Sequence, residues 1–267
     1  MKNDKQFSKE HYSYLKTLRN KSILVWCLGL GLFVFILALW QILADTGVID
    51  SFITSSPKRV FTTIIELFRE NNLLMHIWVT LYETLLGFFI AVAIGTLIAL
   101  ILWWSEIFRR VAEPYLIVLN SLPKIALGPI IIVWCGSGSK SIVMMAVLIA
   151  VIVTIINMLN GFLATDDSKI LLLRSMGASK LQILTKLVIP GSLKVFISTL
   201  KIDVGMAWIG SIMGEYLVSK AGLGYLIVYG GQVFKLDLVM ASTVILCILA
   251  TLMYLVISLF EKLLIKK

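Results

Sequence analysis

The chain has 267 residues, of which 59% are hydrophobic and 15% charged, and its mean hydropathy is +0.97. Soluble domains hold roughly 45–50% apolar residues, so this composition excludes a soluble domain and defines an integral membrane protein. The formal net charge of +9 fits loop topology and attraction to anionic headgroups; nucleic-acid binding needs a soluble basic face, which is absent.

Six stretches are long and apolar enough to cross a hydrocarbon core, which takes about 20 residues at the helical rise. They are 23–44, 84–104, 114–135, 141–161, 195–218 and 238–260. The third contains Lys124 and the fifth contains Lys201, Asp203 and Glu215; the other four carry no formal charge. The first follows a basic tail, 1–22, as the core of a signal peptide would. Its apolar run exceeds the usual length of about 7–15 residues and no clean cleavage site follows, so it is expected to be a retained span.

The positive-inside rule orients the six. With a cytoplasmic N-terminus, sixteen basic residues fall inside: Lys2, Lys5, Lys9, Lys16, Arg19, Lys21, Arg109, Arg110, Lys169, Arg174, Lys180, Lys186, Lys194, Lys262, Lys266 and Lys267. Six fall outside: Lys58, Arg59, Arg69, Lys140, Lys220 and Lys235. Both termini, including the tail 261–267, are therefore expected in the cytoplasm.

Between the first two spans, the external segment 45–80 contains Ser56-Pro57, an N-cap followed by proline at the first helical position. Val60, Ile64, Leu67 and Phe68 then fall on one face, with Lys58, Arg59, Glu66 and Arg69 polar. This predicts an amphipathic helix lying in the outer membrane interface; a plain connector with chance periodicity is the alternative. In the second span Gly87, Ala91, Gly95 and Ala99 line one face at four-residue intervals, and Gly210 and Gly214 repeat the step in the fifth. Such ladders let helices approach closely, within one subunit or between two.

Gly136-Ser137-Gly138-Ser139-Lys140-Ser141 has the flavour of a phosphate loop, but Ser139 stands where glycine must precede the lysine, and no strand leads into it. Cys27, Cys135 and Cys247 lie singly in or beside apolar spans, and His11 and His76 are the only histidines. This gives no disulfide framework and no zinc motif.

After the fourth span comes a polar segment. Asp166, Asp167 and Ser168 supply capping oxygens and negative charge for a helix start, and the chain stays helix-prone from Lys169 to Met176. Gly177 permits the left-handed conformation that ends helices. Ser179 caps a second helix, with Leu181, Leu184, Leu187 and Val188 as its apolar stripe, which Pro190 is expected to break. Two short helices joined at a glycine form a shape that sits in a partner's groove.

The fifth span is the least comfortable in lipid, where charges face protein or a water-filled path. Lys201 is expected to snorkel and Glu215 to reach water at the outer end. Asp203 does not face Lys201, two residues away on a helix; Lys124 or a second subunit is left as its partner, and a path or gating role is open.

Gly177, nine residues, Leu187, one residue, Ile189-Pro190 resembles the cytoplasmic loop of permease subunits of ATP-binding-cassette (ABC) importers. That loop reads EAA, three residues, Gly, nine residues, Ile, one residue, Leu-Pro. Leu171, Leu172 and Leu173 stand at the Glu-Ala-Ala positions, so a salt bridge from the family's glutamate is not available. Other features are similar to the nitrate/sulfonate/taurine-type group: Ser56-Pro57, His76, Thr80-Leu81, Gly87-Phe88, Ser121-Leu122-Pro123-Lys124-Ile125-Ala126-Leu127 with Pro129, Asn157 with Gly161, and Glu215 before Gly222-Leu223-Gly224-Tyr225.

The resemblance implies an all-α type I importer permease with a transmembrane domain over 75–260 and a coupling segment at 162–194. The partners it implies are a cytosolic ABC ATPase, an extracytoplasmic solute-binding protein and a second permease copy, in most cases identical. It also implies that ATP is used by the partner and that no cofactor is bound by this chain. Arg174, Ser175, Met176, Gly177, Ala178, Ser179, Leu187 and Pro190 become the coupling residues. Asn120, Ser121, Lys124, Thr154, Asn157, Ser198, Asp203 and Ser211, on the central spans, become candidates for the translocation path. An ion-coupled secondary transporter using Lys201, Asp203 and Glu215, or a membrane scaffold docking another cytosolic partner, are the rival readings.

Overall fold

A computed structural model describes residues 9–69 and 72–264, and every regular element among them is helical. The predicted tails at 1–22 and 261–267 lie partly outside the described residues; Lys2, Lys5, Lys266 and Lys267 lie wholly outside. Contacts divide the chain after Thr62.

The first unit holds α1 (Lys9–Asp45), α2 (Ser51–Thr54) and the opening of α3 (Pro57–Arg69). The span in α1 runs over Thr17–Asp45, so it starts before residue 23 and ends close to 44, and none of its most apolar 18-residue window is buried within the protein, as expected of a helix surrounded by lipid. Asp50 caps α2 by accepting from Phe52 N at 2.8 Å. Ser56 caps α3 by accepting from Arg59 N at 3.3 Å, which supplies the amphipathic helix that the Ser-Pro signature predicts.

The second unit continues through α4 (Leu73–Trp104), α5 (Glu106–Ser121), a 3₁₀ turn (Lys124–Leu127), α6 (Gly128–Cys135) and α7 (Ser139–Leu163). It then runs through α8 (Asp167–Ser175), α9 (Lys180–Ile183), a π turn (Leu184–Val188), α10 (Ile189–Val218), α11 (Leu223–Gln232) and α12 (Leu236–Leu264). Small residues set its core. A Cβ on Gly87 would stand 2.5 Å from Ala146 Cβ and one on Gly95 2.6 Å from Thr154 Cβ, so α4 and α7 run parallel in tight contact. Gly210 abuts the Ala146 backbone, Gly214 that of Ile142, and Gly161 the Val195 side chain, which sets α10 antiparallel to α7. The ladder read from sequence thus packs inside the bundle.

Three expectations are corrected. The third span, 114–135, is no single helix: α5 and the 3₁₀–α6 stretch meet at 87°. Leu122 is extended (ψ 140) ahead of Pro123, as a residue before proline must be, and Gly128-Pro129 then starts α6. Pro190 does not end a helix. Ile189 N donates to Leu184 O, five residues back, and the widened turn passes the proline ring into the first turn of α10, so one apolar rod runs over Lys180–Val218. The second span begins at Leu73 rather than at 84, which brings His76, Thr80 and Glu83 into α4. Helix α11 lies between the fifth and sixth spans.

Candidate functional site

The segment after α7 is built as its residues require. Asp166 caps α8 by accepting from Ser168 N at 2.9 Å. At the far end Ala178 N donates to Leu173 O and Gly177 N to Arg174 O, both at 2.9 Å. These two bonds, with Gly177 at φ +81, make a Schellman motif, and Leu173 and Ala178 supply its apolar contact. Ser179 then closes a capping box with Gln182. Two helices therefore meet at a fixed angle.

One face of this hairpin is sunk into the bundle. Ile183, Leu184 and Val188 are buried, with Leu173, Ala178 and Leu187 packed beside them against Ala99 and Leu102 of α4 and Ile155, Leu159 and Phe162 of α7. Lys180 adds a polar tie: its Nζ donates to the Trp104 carbonyl at 2.5 Å and stands 5.7 and 5.3 Å from the Trp103 and Trp104 ring centroids. A cation at the C-terminus of α4 is favoured by the helix dipole. The opposite face is apolar and open: Met176 is 74% exposed, Leu171 69%, Leu172 59% and Leu181 58%. Arg174, Ser175, Gly177 and Pro190 are exposed as well. So Leu171-Leu172-Leu173 splits, with one leucine anchoring the hairpin and two presented outward.

The polar residues of the central spans fall into three groups. Thr154, Asp203 and Ser211 are sealed inside the bundle. Thr154 Oγ1 lies 2.9 Å from Asp203 Oδ2 and 3.0 Å from Ala150 O, and Ser211 meets Thr84 at 2.6 Å. Asn157 and Ser198 line an open cleft of about 360 Å³ between α7 and α10, together with Asn160, Gly161 and Thr199. Asn120 and Ser121 are exposed on α5, where Lys124 Nζ donates to Asn120 Oδ1 at 3.2 Å.

The charged residues of the fifth span differ from expectation. Lys201, its side chain 20% exposed, pairs with Glu261 of α12 at 2.5 Å. Asp203 bonds Thr154 rather than Lys124. Glu215 is 2% exposed and accepts from Gly224 N at 2.6 Å. The three therefore engage three separate partners and form no continuous relay.

The set around Glu215 escaped sequence reasoning. His76 Nδ1 accepts from Gly222 N at 2.9 Å and Thr80 Oγ1 from Leu223 N at 2.7 Å, so α4 and α10 together hold the turn into α11. Glu83, inside an apolar helix, was the available signal. Among the described residues no three His, Cys, Asp or Glu side chains converge as metal ligands would.

These features define a multi-pass helical membrane bundle that carries a rigid, capped hairpin on one end. Residues 87–267 match the family described as binding-protein-dependent transport system inner membrane component, and the chain belongs to it. A probable ABC transporter permease of Haemophilus influenzae is 32% identical over 220 residues, covering 82% of this chain and 89% of that protein. A formylaminopyrimidine transport permease of Halalkalibacterium halodurans is 31% identical, covering 72% of this chain and 76% of that protein. A putative aliphatic sulfonates transport permease of Bacillus subtilis is 27% identical, covering 90% and 87%. A chain of the MetNI methionine ABC transporter in an inward-facing conformation shares the fold, with a TM-score of 0.66 at 20% identity, covering 73% of this chain and 97% of that one. The chain is thus an ABC importer permease, a transport subunit of the inner membrane.

Proposed function

We propose that the chain forms, with a second identical copy, the path for a small solute of the nitrate, sulfonate, taurine-like or vitamin-precursor class. An extracytoplasmic binding protein delivers the solute, and a cytosolic ABC ATPase docks on the hairpin of α8 and α9. The observation that carries this reading is the hairpin itself: rooted by its apolar face in α4 and α7 and showing Leu171, Leu172, Met176 and Leu181 to solvent. Docking rests on shape and apolar contact, since leucines replace the acidic position. The sixteen-to-six bias of basic residues supports cytoplasmic termini and a cytoplasmic hairpin.

ATP binding closes the ATPase pair and moves the docked hairpins. Each is continuous with α10 and packed on α4 and α7, so the motion tilts the bundle as a rigid body and opens the path outward; hydrolysis reverses it. Asn157 and Ser198, in the open cleft, and Asn120, Ser121 and Lys124, on the broken segment, face the path. Thr154, Asp203 and Ser211 hold helices together instead. The relatives named for aliphatic sulfonates and formylaminopyrimidine support the sulfonate and vitamin-precursor classes. Purification of the intact complex from native membranes, with mass spectrometry of the small molecule retained by the co-purifying binding protein, tests it. A sulfonate or pyrimidine-like compound is expected; a bound peptide, or no binding protein, contradicts it.

A further inference from the structure

At the end of the bundle remote from Gly177, two glutamates from different helices meet away from water. Glu83 of α4 is 1% exposed and Glu215 of α10 is 2% exposed, and their carboxyl groups are neighbours. Glu215 Oε2 also accepts from Gly224 N at 2.6 Å and Tyr225 N at 3.4 Å, and the Thr80 hydroxyl lies beside the same carboxyl. The Ser139 hydroxyl at the start of α7 lies beside Glu83. Two oxygens, Glu83 Oε2 and Glu215 Oε1, have no protein donor although both side chains are more than nine-tenths buried.

Among the described residues no ion pair is made by either glutamate. Tyr216 of α10 adjoins Glu215, His76 of α4 bonds the Gly222 turn and stacks on Tyr225 of α11, and α7 contributes the Ser139 hydroxyl. His76 accepts at Nδ1 from Gly222 N, which a doubly protonated imidazole cannot do, so it brings no charge. Among the described residues neither glutamate has a lysine or arginine partner. Two carboxylates in contact at a dry site cannot both ionise.

We propose that Glu83 and Glu215 form a buried proton-binding site, sharing one proton that clasps α4 to α10 and to the Gly222–Tyr225 turn. Glu215, with two backbone N–H groups and a hydroxyl directed at it, keeps the charge. Glu83 carries the proton and donates it across the gap. Parting of α4 from α10 at this end puts both groups in water and releases the proton; closing takes it up. The unfolded chain, with both glutamates ionised at neutral pH, binds no such proton. The clasp therefore contributes stability at low pH and loses it as pH rises through the folded pair's titration.

The test uses the purified full-length chain in lipid nanodiscs, with Glu83→Gln, and Glu215→Gln as the second variant. Either amide replaces the shared proton with a permanent N–H donor. The wild-type-minus-variant infrared spectrum at neutral pH is expected to show one protonated-carboxyl C=O band that shifts in D2O. The melting temperature of the wild type is expected to fall from mildly acid to mildly alkaline pH, and that of the variants to fall less. Absence of the band from both difference spectra, or identical pH dependence of melting in wild type and variants, would overturn the proposal. Neither readout involves transport, so the outcome stands apart from the permease reading.

Discussion

Thr154 has one hydroxyl hydrogen and two oxygens within reach, Asp203 Oδ2 and Ala150 O. Thr154 donates to Asp203 Oδ2 at 2.9 Å and to Ala150 O at 3.0 Å, sharing its hydrogen between them. Asp203→Asn keeps an oxygen acceptor and adds an N–H for the Thr154 oxygen, and is expected to leave the melting temperature of the purified protein nearly unchanged. Asp203→Ala leaves Thr154 unpartnered in a sealed site and is expected to cost about 1–3 kcal/mol, measured by thermal unfolding in detergent. Lys180 makes a second prediction at this scale. Lys180→Met removes both the bond to Trp104 and the contact with the two indole rings, worth about 0.5–1 kcal/mol. It is expected to reduce uptake about two- to fivefold with Lys180→Arg close to wild type, in a transport assay at equal membrane levels; equal uptake by Lys180→Met and wild type would remove the residue from the coupling route.

At the scale of elements, the hairpin was largely legible. Asp166, Gly177 and Ser179 each act through bonds to residues two to four positions away, so local chemistry determines them. Gly177→Val forces a β-branched residue into the left-handed region, at a cost of about 1–2 kcal/mol. Since nothing lies within 4 Å of an added Cβ, the strain is purely conformational. Membrane insertion is expected to persist and uptake to be lost, with Gly177→Asn milder because asparagine tolerates this conformation; normal uptake by the valine variant would count against the hinge. Pro190 was misread because the π turn that accommodates it is a property of the whole rod, not of the proline. The third span was misread because apolar content says nothing of direction, although Leu122-Pro123 carried the signal for the bend. The Glu83–Glu215 contact was invisible because it joins helices far apart in sequence.

For the whole molecule, packing is organised around α7, against which α4 lies parallel and α10 antiparallel through glycine contacts. Gly210 faces the Ala146 backbone, which cannot move aside as a side chain can. Gly210→Val is therefore expected to destabilise by about 1–3 kcal/mol and to lower the yield of folded protein, read by size-exclusion monodispersity. The same rigidity makes the bundle a lever: a hairpin fixed to α4, α7 and α10 cannot be displaced without moving all three. In the proposed assembly an ABC ATPase docks on that hairpin through Leu172 and Met176. The most direct measurement is purification of the tagged full-length chain from its native membranes in mild detergent, beside Leu172→Glu/Met176→Glu, with the bound cytosolic subunit identified by mass spectrometry. An ABC ATPase in stoichiometric amount with the wild type, and its loss from the double variant while the chain remains folded, is the predicted result. A wild-type chain that purifies without an ABC ATPase, or a double variant that retains it in full, would contradict the account.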